Sequence, residues 1–235
     1  MRAIILAAGR GSRMGSLTSE QPKCLTEVHG KLLIQHQIDA LTAAGINDIA
    51  IVTGYKSECL KDYGTHHFHN PKWSETNMVY SLFCAKEWLD ENDCIVSYSD
   101  IFYGPQIVKD LMECQDNIAI AYDPNWIELW SKRFDDPLDD AETFRIDANS
   151  YLLEIGQKPK TVEEIEGQYM GLLRLTSDFC RIVNELRCSN FPVISMTKLL
   201  SLFIKDSKKI YGVPHKGSWG ECDIISDIDL YKTYQ

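Results

Sequence analysis

Short apolar runs recur along the chain and alternate with segments in which apolar residues follow a helical spacing. The runs predict strands, and the spaced segments predict helices. The predicted strands cover residues 3–6, 49–53, 94–97, 118–122, 170–175 and 209–213, and the predicted helices cover 32–41, 78–89, 178–187 and 195–203. Apolar strands that are separated by helices are typical of a mainly parallel sheet with both faces covered.

The last third of the chain departs from this alternation, because two helical segments precede a strand and an acidic stretch at 219–231. A mixed sheet is therefore expected. No internal repeat or linker rich in proline and glycine divides the chain, and residues 123–142 are expected to form a long ordered excursion over the surface. We predict an α/β fold with one domain over residues 1–235, a Rossmann-like α/β/α sandwich with a mixed, mainly parallel sheet.

The composition is that of a compact globular protein, with 44% hydrophobic and 25% charged residues. No apolar run approaches the roughly 20 residues that a bilayer-spanning helix needs. The first strand has no signal-peptide cleavage site after it, so we expect a cytoplasmic protein without a membrane partner. The net charge of -10 argues against nucleic acid as a partner, because both molecules are negative.

Neither the cysteines nor the histidines predict a zinc site. The eight cysteines contain no C-x-x-C pair and are expected to be reduced thiols. His66, His67 and His69 match no zinc signature and lie in a polar run, so we expect them to belong to a loop.

A glycine-rich loop, G-R-G-S-R-M-G at 9–15, follows the first predicted strand. Glycines let the backbone approach a phosphate, and exposed amides then bind it, so an acidic protein can still hold a polyphosphate. The spacing matches neither the dinucleotide-binding fingerprint nor the P-loop. Lys23 follows Pro22 just beyond the loop, where the proline could direct it towards bound phosphates. The alternative is a tight turn with incidental arginines.

The run A-A-G-R-G-S-R-M at 7–14, followed by P-K at 22–23, resembles the signature of the sugar-nucleotidyltransferase superfamily. The resemblance implies a nucleotidyltransferase, GT-A-like fold that holds a nucleoside triphosphate on this loop, with Lys23 and Arg13 as catalytic cations. Together with a second likeness, to small cytidylyltransferases and described below, it implies a set of nucleotide-binding residues. These are Leu6, Ala7, Ala8, Gly9, Gly11, Ser12, Arg13, Lys23, Gly54, Tyr55, Thr76, Asn77 and Ser99.

Attack on an α-phosphate builds negative charge on oxygens, so such a site needs a hard cation held by carboxylates. Asp100 follows the predicted strand at 94–97 and matches the first metal-binding aspartate of the superfamily, which is also catalytic. The second metal-binding carboxylate corresponds to Asp223, although Glu221 or Asp227 could be that ligand. The resemblance implies Mg²⁺, with Mn²⁺ as the other candidate. A loop or helix-capping aspartate and a solvated acidic face are the alternatives.

The block T-N-M-V-Y-S-L at 76–82, together with Gly54 and Tyr55, is similar to small single-domain cytidylyltransferases that activate phosphocholine and related compounds. This likeness implies CTP as the nucleotide. Asn77 could instead serve only as a helix N-cap.

The segments at 126–144, 154–159 and 167–171 resemble the cytidylyltransferases of capsule polysaccharide phosphoramidate assembly, which couple CTP to L-glutamine phosphate, and also phosphonate-tailoring relatives. The resemblance implies a small phosphorylated or phosphonylated acceptor, with L-glutamine phosphate, an amino phosphonate and phosphocholine left open. The candidate acceptor-binding residues are the cations Lys132, Arg133 and Lys158 and, for an amino group, Glu142, Asp140 or Glu128. Any one of them could be an ordinary surface charge.

Two other functions stay open: a sugar-1-phosphate nucleotidyltransferase that uses UTP or dTTP, and a nucleotide-binding regulatory module without catalysis. The combination of Lys23, Asp100 and a carboxylate near residue 223 argues against the module, since binding alone does not require all three.

In the expected reaction an acceptor phosphate oxygen attacks directly, and no general base is needed because phosphate is already ionised. A monomer and a homodimer are both compatible with this sequence.

Overall fold

The computed structural model describes residues 1–186 and 193–233. A seven-stranded sheet lies at the centre of this described part, in the order β12-β8-β11-β6-β1-β4-β5, and three short pairs join β2 to β3, β7 to β13 and β9 to β10. The strands are β1 Arg2–Ala7, β2 Glu27–Val28, β3 Lys31–Leu32, β4 Ile49–Thr53, β5 His66–His69, β6 Cys94–Tyr98, β7 Ile101–Tyr103, β8 Ile118–Asp123, β9 Phe144–Ile146, β10 Leu152–Ile155, β11 Gln168–Leu175, β12 Tyr211–Pro214 and β13 Trp219–Glu221.

Six strands of the central sheet run in one direction, and β11 runs against its neighbours β6 and β8. The predicted mixed, mainly parallel sheet is therefore confirmed, and each predicted strand corresponds to one of its members. The exception to the predicted organisation is β5, which pairs with β4 at the edge of the sheet, although its histidines were expected in a loop. Its side chains are largely exposed, and the polar pattern therefore lacks the apolar signal of a buried strand.

Helices cover both faces of the sheet. This follows from β1, whose residues Ala3 to Ala7 are all buried although consecutive side chains point to opposite faces. The helices of the described residues are α1 Leu33–Ala43, α2 Met78–Cys84, α3 Lys86–Glu91, α4 Pro105–Glu113, α5 Trp126–Arg133, α6 Phe179–Glu185, α7 Met196–Lys205 and α8 Ile225–Tyr231. None of these is both long enough and apolar enough to pass through a bilayer.

The helices differ from the sequence predictions in several places, and one of them is α8, which forms within the acidic stretch at 219–231 where no helix was predicted. The segment predicted as one helix at 78–89 is two, because the backbone leaves helical geometry at Ala85. Helix α4 was not predicted; it begins at Pro105, which is favourable at a first helical position. The excursion at 123–142 contains α5, which buries Trp126 and Trp130 and so belongs to the core rather than lying over it. Arg187, at the end of the helix predicted for 178–187, lies outside the described residues.

Truncating a buried side chain of the central strand β1 should lower the stability much more than truncating an exposed side chain. We expect Ile4→Ala to lower the free energy of unfolding by about 2–5 kcal/mol, because it leaves a cavity in a packed core. Urea unfolding followed by circular dichroism measures this. The control is Leu153→Ala, whose side chain is 55% exposed and whose loss should change the free energy by about 0.5 kcal/mol or less. Equal losses in both variants would contradict this account of the core.

Candidate active site

The loop after β1 folds tightly against Lys23. Gly11 has a left-handed backbone, with φ at 72°, and a Cβ at that position would lie 2.6 Å from the Cβ of Lys23. The carbonyl of Gly11 accepts hydrogen bonds from the amide of Met14 at 3.0 Å and the hydroxyl of Thr18 at 3.1 Å. Both the backbone conformation and the space therefore require glycine.

Lys23 is buried between two aspartates. Pro22 is extended and leads into the short 3₁₀ turn Lys23–Leu25. The ammonium of Lys23 donates to Asp100 Oδ2 at 2.5 Å and to Asp223 Oδ1 at 2.7 Å, and the residue is only 8% exposed. Burial alone would lower the pKa of Lys23, but the two carboxylates raise it above its ordinary value. The lysine is therefore a permanently charged counter-ion of both aspartates.

A short antiparallel pair brings the two aspartates together. Asp100 lies in the turn between β6 and β7, and β13 pairs with β7 so that Glu221 lies opposite Ile101. Just beyond this pair, the amide of Cys222 donates to the carbonyl of Asp100 at 2.8 Å. Asp223 follows directly, so the pairing of two three-residue strands sets the separation of carboxylates that are distant in sequence.

Asp100, Glu221 and Asp223 form a carboxylate cluster, because each offers an oxygen within 4.8 Å of the others. Oδ1 of Asp100 is buried and has no hydrogen-bond partner among residues 1–186 and 193–233. Carboxylate oxygens are the ligands that hard divalent cations prefer, and the unpaired oxygen gives such a cation a free ligand. Burial raises the pKa of Glu221, and the guanidinium of Arg133 opposes that rise. The cluster therefore has the composition of a divalent-metal site.

Arg133 and Asp227 lie directly behind the carboxylate cluster. Arg133 donates to both carboxylate oxygens of Asp227, at 2.9 and 3.0 Å, and to Oε2 of Glu221 at 2.9 Å. The side chains of Arg133 and Asp227 are completely buried. Arg133 was expected to bind the acceptor. Its guanidinium instead donates to two acidic side chains of the protein. Asp227, an alternative metal ligand in the sequence, lies outside the cluster.

A cavity of about 190 Å³ opens beside the glycine-rich loop, and we call it the first cavity. Its lining includes these expected nucleotide-binding residues: Leu6, Ala8, Gly9, Gly11, Lys23, Thr76, Asn77 and Ser99. Asp100 closes one end of it. Asn77 also caps α2, since its Oδ1 accepts from the amide of Met78 at 2.7 Å, so it combines the two roles that the sequence left open.

Five other expected nucleotide-binding residues, Ala7, Ser12, Arg13, Gly54 and Tyr55, do not line the first cavity. Ala7 is buried at the end of β1, and Ser12 begins the 3₁₀ turn Ser12–Thr18. Gly54 lies close behind the cavity wall, because a Cβ there would be 2.6 Å from both the carbonyl of Ala8 and the Cβ of Trp73. Tyr55 packs edge-on against Trp73 and donates its amide to Ala8 at 2.9 Å. Of these residues, Gly54 and Tyr55 support the wall rather than forming it.

A second cavity of about 390 Å³ lies on the other side of the carboxylate cluster. Tyr98 and Met78 line both cavities. The cluster contributes Asp100 to the first cavity and Glu221 and Asp223 to the second. Of the expected acceptor-binding residues, Glu142, Asp140 and Lys158 line the second cavity, together with Arg13. Arg13 pairs with Asp223 and lies 3.8 Å from Asp140.

Lys158 and Glu142 are two of the charged groups of the second cavity that were expected to bind an acceptor. The ammonium of Lys158 donates to the carbonyls of Leu138 and Asp139, the latter at 3.0 Å. Burial raises the pKa of Glu142, while a hydrogen bond from Thr197 opposes the rise. Lys132 lies outside both cavities and pairs with Glu128 at 3.0 Å along the exposed side of α5.

The comparisons with known proteins agree with this geometry. The family model of the MobA-like NTP transferase domain matches residues 3–145. The chain belongs to this family. Over 98% of its length it is 40% identical to the CTP:phosphoglutamine cytidylyltransferase of Campylobacter jejuni, of which it covers 98%. The choline-phosphate cytidylyltransferase of Streptococcus pneumoniae is 40% identical over 47% of this chain and 50% of its own length.

The fold of the MobA-like domain also occurs in a solved relative. The CTP:phosphocholine cytidylyltransferase structure from Streptococcus pneumoniae aligns with a TM-score of 0.75, over 100% of this chain and 99% of that one. Its sequence identity is 22%, so this likeness bears on the fold. The predicted fold class and the predicted resemblance to nucleotidyltransferases are confirmed, and the chain is an enzyme of this class.

Sequence reasoning missed two aromatic residues of this MobA-like domain. Trp73 lines the first cavity, and Tyr98 lines both cavities. Tyr98 precedes Asp100 by two residues at the end of β6, and this position next to an expected ligand was the available signal. Trp73 lies in a polar segment without periodicity, where no sequence signal pointed to the cavity.

Gly11 should tolerate no side chain, in contrast to Gly9. We expect Gly11→Ala to lower the free energy of unfolding by at least about 1 kcal/mol, because a left-handed alanine is strained and its Cβ would strike Lys23. Gly9→Ala is the matched control, since a Cβ there meets no atom within 4 Å. Urea unfolding of the two variants provides the comparison. Equal stability would rule out the close packing of Lys23 on the loop.

Proposed function

We propose that this chain is a Mg²⁺-dependent cytidylyltransferase that transfers CMP from CTP to a small phosphorylated acceptor and releases pyrophosphate. The observation that carries the proposal is the position of Lys23, which contacts Asp100 and Asp223 between two cavities. The relatives with the same type of named activity, one of them 40% identical over 98% of the chain, support the choice of CTP. The proposal treats residues 1–235 as one catalytic domain.

In this proposal the first cavity takes CTP. The glycine-rich loop turns its backbone towards the triphosphate, and Lys23 supplies positive charge beside it. The base lies on the wall that Gly54 and Tyr55 support, near Trp73. The small size of Ala8, Gly9 and Gly11 is consistent with this arrangement, because a phosphate can approach their amides closely.

The carboxylate cluster is the proposed Mg²⁺ site, with Asp100 and Asp223 as ligands and Glu221 beside them. The three carboxylates and the unpaired Oδ1 of Asp100 fit this ion, and Mn²⁺ would suit the same oxygens. When bound, the cation supplies positive charge to phosphate oxygens. Asp227 is not proposed as a ligand, because both of its oxygens already accept hydrogen bonds from Arg133.

The proposed reaction is a direct in-line displacement. A phosphate oxygen of the acceptor attacks the α-phosphorus of CTP, a new P–O bond forms, and the bond to the β-phosphate breaks as pyrophosphate leaves. Lys23 and Arg13 stabilise the negative charge that develops on the phosphate oxygens. No general base is required, because the attacking phosphate is already ionised near neutral pH.

The second cavity takes the acceptor, for which L-glutamine phosphate is our first candidate. Arg13 and Lys158 offer positive charge to its acidic groups, and Asp140 and Glu142 offer carboxylates to an ammonium. An amino phosphonate or phosphocholine would place a cation in the same region. The name of the Campylobacter jejuni relative supports the first candidate and, with it, a role in capsule phosphoramidate assembly.

Loss of either central charge should abolish transfer. We expect Lys23→Ala and Asp100→Ala each to lower kcat/KM by about 100-fold or more. Each substitution removes a charged side chain that lies beside the reacting phosphates in the proposed complex. Pyrophosphate release measures the rate, and circular dichroism checks that each variant is folded. Lys109→Ala, on the exposed side of α4, is the charge-matched control and should keep the wild-type rate. Full activity in either central variant would remove its assigned role.

The substrate assignment is tested by measuring pyrophosphate release with CTP, UTP, dTTP and GTP, each combined with four acceptors. These are L-glutamine phosphate, phosphocholine, 2-aminoethylphosphonate and glucose 1-phosphate. We expect the highest rate with CTP and L-glutamine phosphate. Preference for UTP or dTTP, or turnover with glucose 1-phosphate alone, would instead indicate a sugar nucleotidyltransferase. Nucleotide binding without turnover in any combination would favour a regulatory module.

A further inference from the structure

Arg133 contacts two acidic residues that differ in their relation to the carboxylate cluster. Nη1 donates to Glu221, which belongs to the cluster, while Nε and Nη2 hold Asp227, which does not. The guanidinium also lies 4.8 Å from the ring of Trp130 and 5.0 Å from that of Phe134. Because its side chain is completely buried between charges and rings, Arg133 has one well-defined position.

Asp227 links the guanidinium of Arg133 to the backbone of Asp223. Its Oδ2 accepts the amide of Asp223 at 2.7 Å and the amide of Ile224 at 2.9 Å. These two bonds fix the backbone between β13 and α8, where the carboxylate of Asp223 projects towards Lys23. One guanidinium therefore controls the side chain of Glu221 directly and the backbone of Asp223 through a single intermediate.

We infer that Arg133 is a positioning residue for the divalent cation, and that it organises Glu221 and Asp223 before any cation binds. The inference rests on the proposed function only in that the carboxylate cluster is taken as the cation site. Three carboxylates within 4.8 Å repel one another, and a separate cation behind them limits that repulsion without occupying the cluster. Groups that orient metal ligands from behind typically change metal affinity by about 10- to 100-fold when they are removed.

The first test measures Mn²⁺ binding to the nucleotide-free protein by electron paramagnetic resonance. Arg133→Lys keeps the positive charge but cannot reproduce the three directed hydrogen bonds, so we expect its Kd for Mn²⁺ to rise by about 10- to 100-fold. Arg181→Lys is the matched control, because it makes the same exchange at an exposed arginine of α6; its Kd should equal that of the wild type. A folded Arg133→Lys protein with wild-type Mn²⁺ affinity would overturn the inference.

The second test uses the wild-type protein, so it can overturn the inference even if Arg133→Lys does not fold. Hydrogen exchange of the Asp223 and Ile224 amides is followed with and without Mg²⁺. We expect slow exchange in both states, because Asp227 already accepts these amides in the metal-free protein. Fast exchange that slows only with Mg²⁺ would mean that the cation, and not Arg133, organises this backbone.

Neither test uses a nucleotide or an acceptor, so their outcome is separate from the proposed transfer reaction. Arg133-dependent Mn²⁺ binding in a protein that releases no pyrophosphate would remove the proposed function and support the positioning role. Pyrophosphate release by a wild-type protein whose two amides exchange fast without Mg²⁺ would do the reverse.

Discussion

The carboxylate cluster is stable only because cations surround it. Two negative charges at the 4.8 Å limit of the cluster would repel by about 3 kcal/mol at an effective dielectric constant near 20. Lys23 lies between Asp100 and Asp223, and Arg133 binds Glu221 from behind. A buried ion pair contributes little by itself, but removing one partner leaves an uncompensated charge. The surrounding structure holds Lys23 and Arg133 in contact with the carboxylates that would otherwise repel one another.

The sheet explains why the glycine-rich loop and Asp100 meet. Strands β1 and β6 are parallel neighbours, so the segments that follow them leave the same edge of the sheet. Ligands of open α/β sheets bind at this edge. The third contribution comes from outside the central sheet, because Glu221 and Asp223 reach the edge only through the pairing of β13 with β7. Central parallel strands and one peripheral antiparallel pair thus build the site together.

The sequence predicted the central sheet well, because buried parallel strands are apolar throughout. It missed β5, whose histidines are exposed, and the helices α4, α5 and α8. Lys23, Asp100 and Asp223 were all expected in the site, and the structure brings them into contact, while their chemical roles stay predictions. The position of Arg133 could not be predicted, since it depends on how α5 packs against α8, and a sequence motif contains no such tertiary information.

The pairing of β13 with β7 also determines when in the life of the chain the cluster can form. Lys23 and Asp223 are 200 residues apart, and closing so long a loop must wait for synthesis of the later partner. A nascent chain that has reached β11 already contains six of the seven central strands and the entire glycine-rich loop. It lacks Glu221 and Asp223, so a product that stops before β13 would retain the glycine-rich loop without the complete acidic centre. Synthesis of β13 and the residues just after it is therefore required before the cluster can assemble.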